Sequence, residues 1–397
     1  MRSLSQVAIV TGVCIRTISQ RLGSAVAAAF GIAGVVAVMV GVLSIGEGLR
    51  RAMTTSSTDD GVIIMRSGAD SEMSSGLSLE ETRVIEDSPM ILSGEGGKVV
   101  SAELFVVINL PKRSTGTDAN VPLRGVQGNA TSVRPYFRLV AGRMFERGKN
   151  EVIVGVGASR EFAGLELGDT VDVGPNRWAV VGVFESGGGT AESEIWTDAA
   201  VLQAAYRRGS TYQSVHLRLK SGDEAVFQEF KDVLTTDPRV NVKVIRQVQY
   251  YAEQSAMLSD LINVLGGLIA MLMGIGAIFG ALNTMYSSVS ARTLEIATLR
   301  ALGFGAFPVV VSVLVESLML SLVGGTIGGA FAFLAFDGFQ TATLNWQSFS
   351  QVTFAFDVSV GLLLQGIVYA TFIGLVGGCF PAWRAAKLPI AAALRAF

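Results

Sequence analysis

The 397-residue sequence has one histidine, two cysteines and few charges, with 31 lysines and arginines against 33 aspartates and glutamates, 16% of the chain. A lone His216 and no paired-cysteine spacing exclude a Cys/His zinc site. Cys14 and Cys379 lie beside or inside the apolar ends, so no disulfide framework can staple the polar middle, which must hold together by packing. A net charge of −2 with scattered arginines gives no basic patch, and nucleic acid is not an expected partner. No G-x-S-x-G element occurs, which removes an elbow-serine hydrolase.

What the sequence does have is length without charge. Ser24 to Ile45 carries none, and as a helix its 22 residues would rise ~33 Å, enough to cross a bilayer. The segment starts too far in and runs too long for a cleaved signal peptide, and Glu47, Arg50 and Arg51 follow it in place of a small-residue cleavage site. Leu261 to Ala291 and Val358 to Trp383 are likewise uncharged, and Phe307 to Phe336 carries only Glu316. Four spans are expected.

Short loops set the orientation, because lysine and arginine stay on the cytoplasmic side. Arg2, Arg16 and Arg21 precede the first span, Arg292 and Arg300 separate the second from the third, and Arg384, Lys387 and Arg395 follow the fourth, whereas Asp337 to Asp357 has no basic residue. The expected organisation is therefore a cytoplasmic segment 1–21, a first span within 22–53, an extracytoplasmic domain 54–257, a second span within 258–291, a cytoplasmic helix 292–303, a third span within 304–336, an outer loop 337–357, a fourth span within 358–383 and a cytoplasmic tail 384–397. Both termini are expected in the cytoplasm. The fold class is an α-helical membrane protein with four transmembrane helices and an α+β extracytoplasmic domain between helices 1 and 2.

Four-residue glycine spacing recurs in the spans: Gly276 with Gly280, Gly324 with Gly328, Gly325 with Gly329, and Gly374 with Gly378. Such pairs let helix backbones approach closely, although membrane helices are glycine-rich in any case. In the middle, apolar runs bounded by turn residues predict strands at Val62 to Met65, Glu103 to Leu110, Val121 to Val126, Glu151 to Val154, Thr170 to Val173, Trp178 to Phe184, Ser214 to Leu219 and Val240 to Val244. Ser78 and Glu81 form a capping-box pattern opening a helix toward Asp87, Asp223 to Leu234 has helical spacing, and Thr197 or Asp198 can cap a helix to Tyr206. Glu185 to Glu194, with three successive glycines, is expected to be a mobile loop.

Chemistry is sparse. The segment Leu92 to Lys98, LSGEGGK, lacks both the first glycine and the hydroxyl after the lysine that a phosphate loop needs, so it is expected to be a turn. In Val215 to Leu219 the alternation pairs His216 with Arg218 on the face expected to meet solvent. Glu316 lies about 14 Å into the third span. With no basic or other acidic residue expected beside it there, a structural hydrogen bond is favoured over ion transport and Glu316→Gln is expected to be tolerated. Ser288 to Gly303 reads SVSARTLEIATLRALG, in which Leu294, Ala297, Leu299, Ala301 and Leu302 give an apolar side and Arg292, Glu295 and Arg300 are polar enough to leave the bilayer. Such a helix can dock in a partner's groove or lie on lipid, and periodicity favours neither.

RTLEIATLRALG at Arg292 to Gly303, Glu316, GGTIGG at Gly324 to Gly329 and PAWRAAKLPIAAALRA at Pro381 to Ala396 together resemble the permease subunits of the MacB, FtsX and LolC/LolE superfamily of ABC systems. The middle is similar to that family's periplasmic core domain through PLRGV at Pro122 to Val126, AGRMF at Ala141 to Phe145, NEVIVG at Asn150 to Gly155, LGDTV at Leu167 to Val171 and WAVVGVF at Trp178 to Phe184. The resemblance implies a non-catalytic, multi-pass permease of the bacterial inner membrane, paired with a second copy or a paralogous permease. It implies that Arg292, Leu294, Glu295, Leu299 and Arg300 belong to a coupling helix that meets two copies of an ABC ATPase subunit, which alone use ATP and magnesium. This chain is expected to bind no cofactor. A periplasmic adaptor is a further partner the resemblance allows. MacB carries its ATPase on the same polypeptide, whereas here about 21 residues precede the first span, so a partner ATPase is expected. The function implied is mechanotransmission for export or extraction, and the alternative is an FtsX-like scaffold that activates a cell-wall hydrolase.

Overall fold

The computed structural model describes residues 6–7, 10–12, 22–55, 57–345 and 350–389. Cys14, Arg2, Arg16, Arg21 and Arg395 lie outside them. The chain divides into two compact units, one made of Gly48–Ser259 with Gln340–Ala355 and the other of the remaining described residues.

The second of these units is helical. Helix α1 covers Leu22–Thr54, with the inserted domain following it. Within that domain, α2 is Leu79–Glu86, α3 is Ala199–Ala205 and α4 is Glu224–Thr236. The chain continues into α5, Gln247–Ala291, α6, Thr293–Ala301, α7, Ala306–Phe336, and α8, Val360–Ala386. Four of these, α1, α5, α7 and α8, are long and apolar enough to cross a membrane. Helix α5 begins eleven residues before the expected span and contributes Gln247–Ser259 to the domain unit. An apolar core of Ile32, Val36, Val40, Ala270, Ala332, Ala370 and Ile373 joins all four long helices.

The inserted domain is built on a ten-stranded sheet. Its strands in chain order are β1 (Gly61–Arg66), β2 (Val100–Pro111), β3 (Asp118–Val126), β4 (Phe137–Gly142), β5 (Glu151–Gly155), β6 (Thr170–Val173), β7 (Asn176–Ser186), β8 (Ile195–Asp198), β9 (Ser214–Arg218) and β10 (Val242–Arg246). They lie in the order β10-β1-β9-β2-β3-β8-β5-β7-β4, with β6 against β7. The β3–β8 and β5–β7 pairs are parallel and the others antiparallel. Each expected strand is present, the last shifted by two residues, while β4 and β8 were not anticipated.

One face of the β10-β1-β9-β2 half packs Val62, Ile64, Val215 and Leu217 against Ile85 of α2 and Phe227, Phe230 and Leu234 of α4. Helices α2, α3 and α4 start as expected, α4 with Asp223 as its N-cap residue. Ser78 accepts from the Glu81 amide at 3.2 Å while the Glu81 carboxylate accepts from the Ser78 amide at 2.7 Å, and Asp198 caps α3. The other half buries Leu104, Leu123, Val152, Val154, Phe162, Trp178, Val180 and Leu202.

Two loop expectations are corrected. Glu185 to Glu194 is an ordered turn: β7 runs to Ser186, the Glu192 carboxylate accepts from the Ser186 amide at 2.8 Å and the Gly188 amide at 2.7 Å, and Thr190–Ser193 forms a 3-10 turn. The outer loop 337–357 holds a hairpin, β11 (Gln340–Asn345) with β12 (Ser350–Ala355), that belongs to the domain unit. Its Thr353 amide donates to Ser193 Oγ at 2.9 Å. LSGEGGK closes as a turn, with Ser93–Gly94 paired to Gly97–Lys98 and Gly97 at a φ of 106° that favours glycine.

Candidate functional site

Helix α6 is set off by a short corner at each end. Arg292, immediately after α5, is its N-cap residue. At the other end the Gly303 amide donates to the Arg300 carbonyl and the Phe304 amide to the Leu299 carbonyl, a Schellman closure that places Gly303 at a φ of 95°. Ile296 and Ala297 are buried, Ile296 among Met285, Val289, Val309, Val313, Ala382 and Ala385 of the neighbouring helices. Leu294, Glu295, Thr298, Ala301 and Leu302 are exposed and form a stripe along the opposite side.

That division corrects the apolar side expected from periodicity. Ala297 faces inward, and Leu299 is half-buried beside Arg292, Val309 and Glu316. Arg300 is bonded to the bundle: its Nη1 donates to the carbonyls of Ala386 at 2.7 Å and Leu388 at 3.2 Å, placing a cation at the C-terminal end of α8.

The reading of Glu316 is corrected too. It is buried and structurally bonded as expected, yet a basic residue does accompany it: Arg292 Nη1 donates to Glu316 Oε2 at 2.9 Å and Nη2 to Oε1 at 3.2 Å. Ser288 Oγ adds a bond to Oε1 at 3.2 Å. Arg292 lies 24 residues earlier and on a different helix, so no local pattern announces the pair. Glutamine at 316 would leave a buried guanidinium without its counter-charge, and the expected tolerance of Glu316→Gln is withdrawn.

Three of the four glycine pairs are true contacts. A Cβ at Gly324 would lie 2.6 Å from the Ala29 carbonyl oxygen, and one at Gly328 would overlap that of Ala33, so both meet α1. Gly325 faces Ala370 at 2.7 Å, Gly329 faces Leu363, Gly374 faces Ser321, and Gly378 faces Ser317, all between α7 and α8. A Cβ at Gly276 or Gly280 would meet nothing within 4 Å among the described residues.

The inserted domain holds a second constellation, which sequence reading missed. Arg124 on β3 is buried and uses all five of its N–H donors. Nε and Nη2 donate to Glu194 at 2.8 Å each, Nη1 and Nη2 to Glu72 at 2.8 and 3.0 Å, and Nη1 also to Glu103 at 3.0 Å. Arg134 grips Glu103 with two bonds of 2.7 and 2.8 Å. His216 is the corrected residue here: it is fully buried, its Nε2 donating to the Glu72 carboxylate at 2.8 Å. The alternation of β9 suggested solvent on one side, but Glu72 and Tyr250, whose hydroxyl accepts from the Glu72 amide at 3.1 Å, lie over that face. The unbroken apolar run GVIIMR of the neighbouring β1 was the available signal that both faces are covered.

Burial raises the Glu72 carboxyl, but the Arg124 charge and the His216 hydrogen bond overcome it and hold the group well below the ordinary range. Glu103, also opposed by burial, is brought down to about 2 by Arg134, His216 and Arg124. Glu72, Glu103 and His216 bring ligand-type atoms within 4.8 Å of one another. Their oxygens already accept from Arg124 and Arg134, and two guanidinium charges beside a cation repel it, so the donor set fits an internal ion cluster and not a metal.

Four membrane-length helices with an α+β domain inserted after the first define a multi-pass membrane protein. Residues 25–233 match the family of MacB-like periplasmic core domains, and residues 267–390 match the FtsX-like permease C-terminal family. The chain belongs to this MacB-like family and is an ABC transporter permease of the MacB/FtsX type. It is 24% identical over 383 residues to the uncharacterized ABC transporter permease YknZ of Bacillus subtilis, covering 92% of each chain. It is 25% identical over 394 residues to the macrolide export ATP-binding/permease protein MacB of Bdellovibrio bacteriovorus, covering 91% of this chain and 57% of that one, so it spans little more than half of that relative. Similar solved structures are the extracellular domain of YknZ from Gram-positive bacteria (17% identity, TM-score 0.35, 47% of this chain and 99% of that one) and the periplasmic region of MacB from Actinobacillus actinomycetemcomitans (13%, 0.39, 49% and 92%).

Proposed function

We propose that this chain is the membrane subunit of an ABC system in which a separate ATPase, present in two copies, docks on α6 and drives motion of the inserted domain across the membrane, for export or extraction of a substrate. ATP and magnesium are used by the ATPase, and the permease works with a second permease copy or a paralogue, with or without a periplasmic adaptor. The match along 92% of a relative named as a permease supports the separate-ATPase arrangement. The observation that carries the reading is the division of α6: its inner side is fixed in the bundle, while Leu294, Glu295, Thr298 and Leu302 leave an apolar stripe with one acidic edge exposed. A stripe of this kind suits a groove on a folded partner. Hydrolase regulation by an FtsX-like scaffold would need the same contact.

Leu294 is the residue to test, because it is 41% exposed and its replacement leaves the bundle intact. Leu294→Asp places an unpaired carboxylate in the docked contact, at a cost of about 2–5 kcal/mol, and weakens association ~30-fold or more. The ATPase should fail to copurify with the variant, whose thermal unfolding in detergent stays at the wild-type value. Full copurification and full permease-stimulated hydrolysis would remove α6 from the contact.

A further inference from the structure

Helix α6 has nine residues, too few to hold its place by apolar packing at Ile296 and Ala297 alone. Directional bonds tie each end to a different long helix. Arg292 at the start holds Glu316 of α7 through two bonds, and Arg300 in the last turn holds the Ala386 carbonyl that ends α8 and the Leu388 carbonyl just past it. We infer that Arg292 with Glu316 is a positioning latch that makes α6 and α7 move as one body, with Arg300 doing the same for α8. A push on α6 is then delivered to the third and fourth spans instead of being lost as sliding of a short helix. This inference rests on the mechanotransmission reading above.

The chemistry favours a positional role over a stabilising one. Arg292 and Glu316 are both at most 5% exposed, and moving two charges into an apolar bundle costs as much as their attraction returns. An apolar pair of similar volume would hold the helices together at least as well. It would lack the fork geometry, in which two parallel N–H···O bonds fix both the rotation and the translation of one helix against the other. Ser288, one turn before Arg292 on α5, bonds the same carboxylate and brings α5 into the same joint.

The test uses the full chain reconstituted in vesicles with its ATPase, carrying an environment-sensitive fluorophore on Glu229→Cys, an exposed position of α4, with Cys14 and Cys379 replaced by serine. Three readouts are taken: copurified ATPase, ATP hydrolysis, and the ATP-driven change in the fluorophore signal. Arg292→Met/Glu316→Met removes both charges at once. Arg292 is buried against Glu316 and lies outside the exposed stripe of Leu294, Glu295, Thr298 and Leu302, so the variant should assemble with the ATPase and hydrolyse ATP within about twofold of wild type, while the ATP-driven signal falls on the order of tenfold. Arg292→Lys keeps the charge and loses the fork, and should show a partial loss of signal with normal assembly. A merely structural pair predicts a full signal from both variants, and that result overturns the latch while leaving the mechanotransmission reading in place. No ATP-driven signal in the unmodified latch overturns that reading and the latch with it. Should the double variant fail to assemble, Arg292→Lys decides: full signal overturns the latch and reduced signal supports it.

Discussion

Arg124→Met should unfold the inserted domain at ordinary temperature while the helical unit stays inserted. The substitution keeps the bulk of the side chain and removes five charge-assisted bonds, leaving Glu72 and Glu194 buried without their guanidinium partner. Breaking a buried pair from one side costs about 3–5 kcal/mol, and here one cation serves three carboxylates. A domain has only ~5–15 kcal/mol in all. Arg138→Met is the contrast, because its ion pair with Glu185 is made by a side chain that is 74% exposed, and its removal should change stability by less than ~1 kcal/mol. Thermal unfolding of the full chain followed by near-ultraviolet circular dichroism separates the two. Equal and small shifts would show that the cluster carries little stability.

The same cluster sets an acid limit. Glu103 titrates at about 2 in the fold against an ordinary value of 4.5, so its contribution is complete above pH 4.5 and is lost as the pH falls through about 2. Glu72 is shifted in the same direction, chiefly by the Arg124 charge, and so also contributes stability that is lost in acid. The domain should therefore hold through pH 5 and lose stability progressively below it. In Glu103→Gln that part of the acid dependence should be absent, on a lower plateau, because Arg134 is left buried without a counter-charge.

Gly328→Val should separate α1 from α7. A Cβ there overlaps the Ala33 carbonyl oxygen, which is backbone and cannot swing aside, so the helices must part along their contact. Overpacking of this kind costs about 1–3 kcal/mol or more, and the lost neighbour contacts of Gly324 and Ile32 add to it. Gly276→Val should leave the bundle of a single chain unchanged, since a Cβ there meets nothing within 4 Å among the described residues. Thermal unfolding of the full chain in detergent would read the separation: at the wild-type value after Gly276→Val, and lowered after Gly328→Val. Equal unfolding of all three proteins would show that the α1–α7 approach does not depend on glycine.

These sites differ in how much local sequence could announce them. The four long helices are legible because twenty uncharged residues have few other uses, and the Ser78–Glu81 box is legible because both partners lie within one turn. Strand β8, four residues long, is too short for periodicity to register. The β11–β12 hairpin carries alternation, Thr341 and Thr343 facing Phe354 and Val352 in register, but its position between two spans favours an irregular loop. Glycine spacing located surfaces where helices can approach and could not say which have a neighbour, so Gly276 and Gly280 looked the same as Gly324 and Gly328. The Arg292–Glu316 pair and the Arg124 cluster are the least legible, because their members come from separate elements and only folding brings them together.

The reading as a whole requires that α6 and the inserted domain lie on opposite sides of the membrane, one to receive the ATPase and the other to respond. In a background with Cys14 and Cys379 replaced by serine, single cysteines at the exposed positions Glu229 and Thr298 can be treated in intact cells with a small membrane-impermeant maleimide. Glu229→Cys should label at once, and Thr298→Cys only after the membrane that holds the protein is permeabilised. Labelling of both from the outside, or of Thr298→Cys alone, would contradict the account.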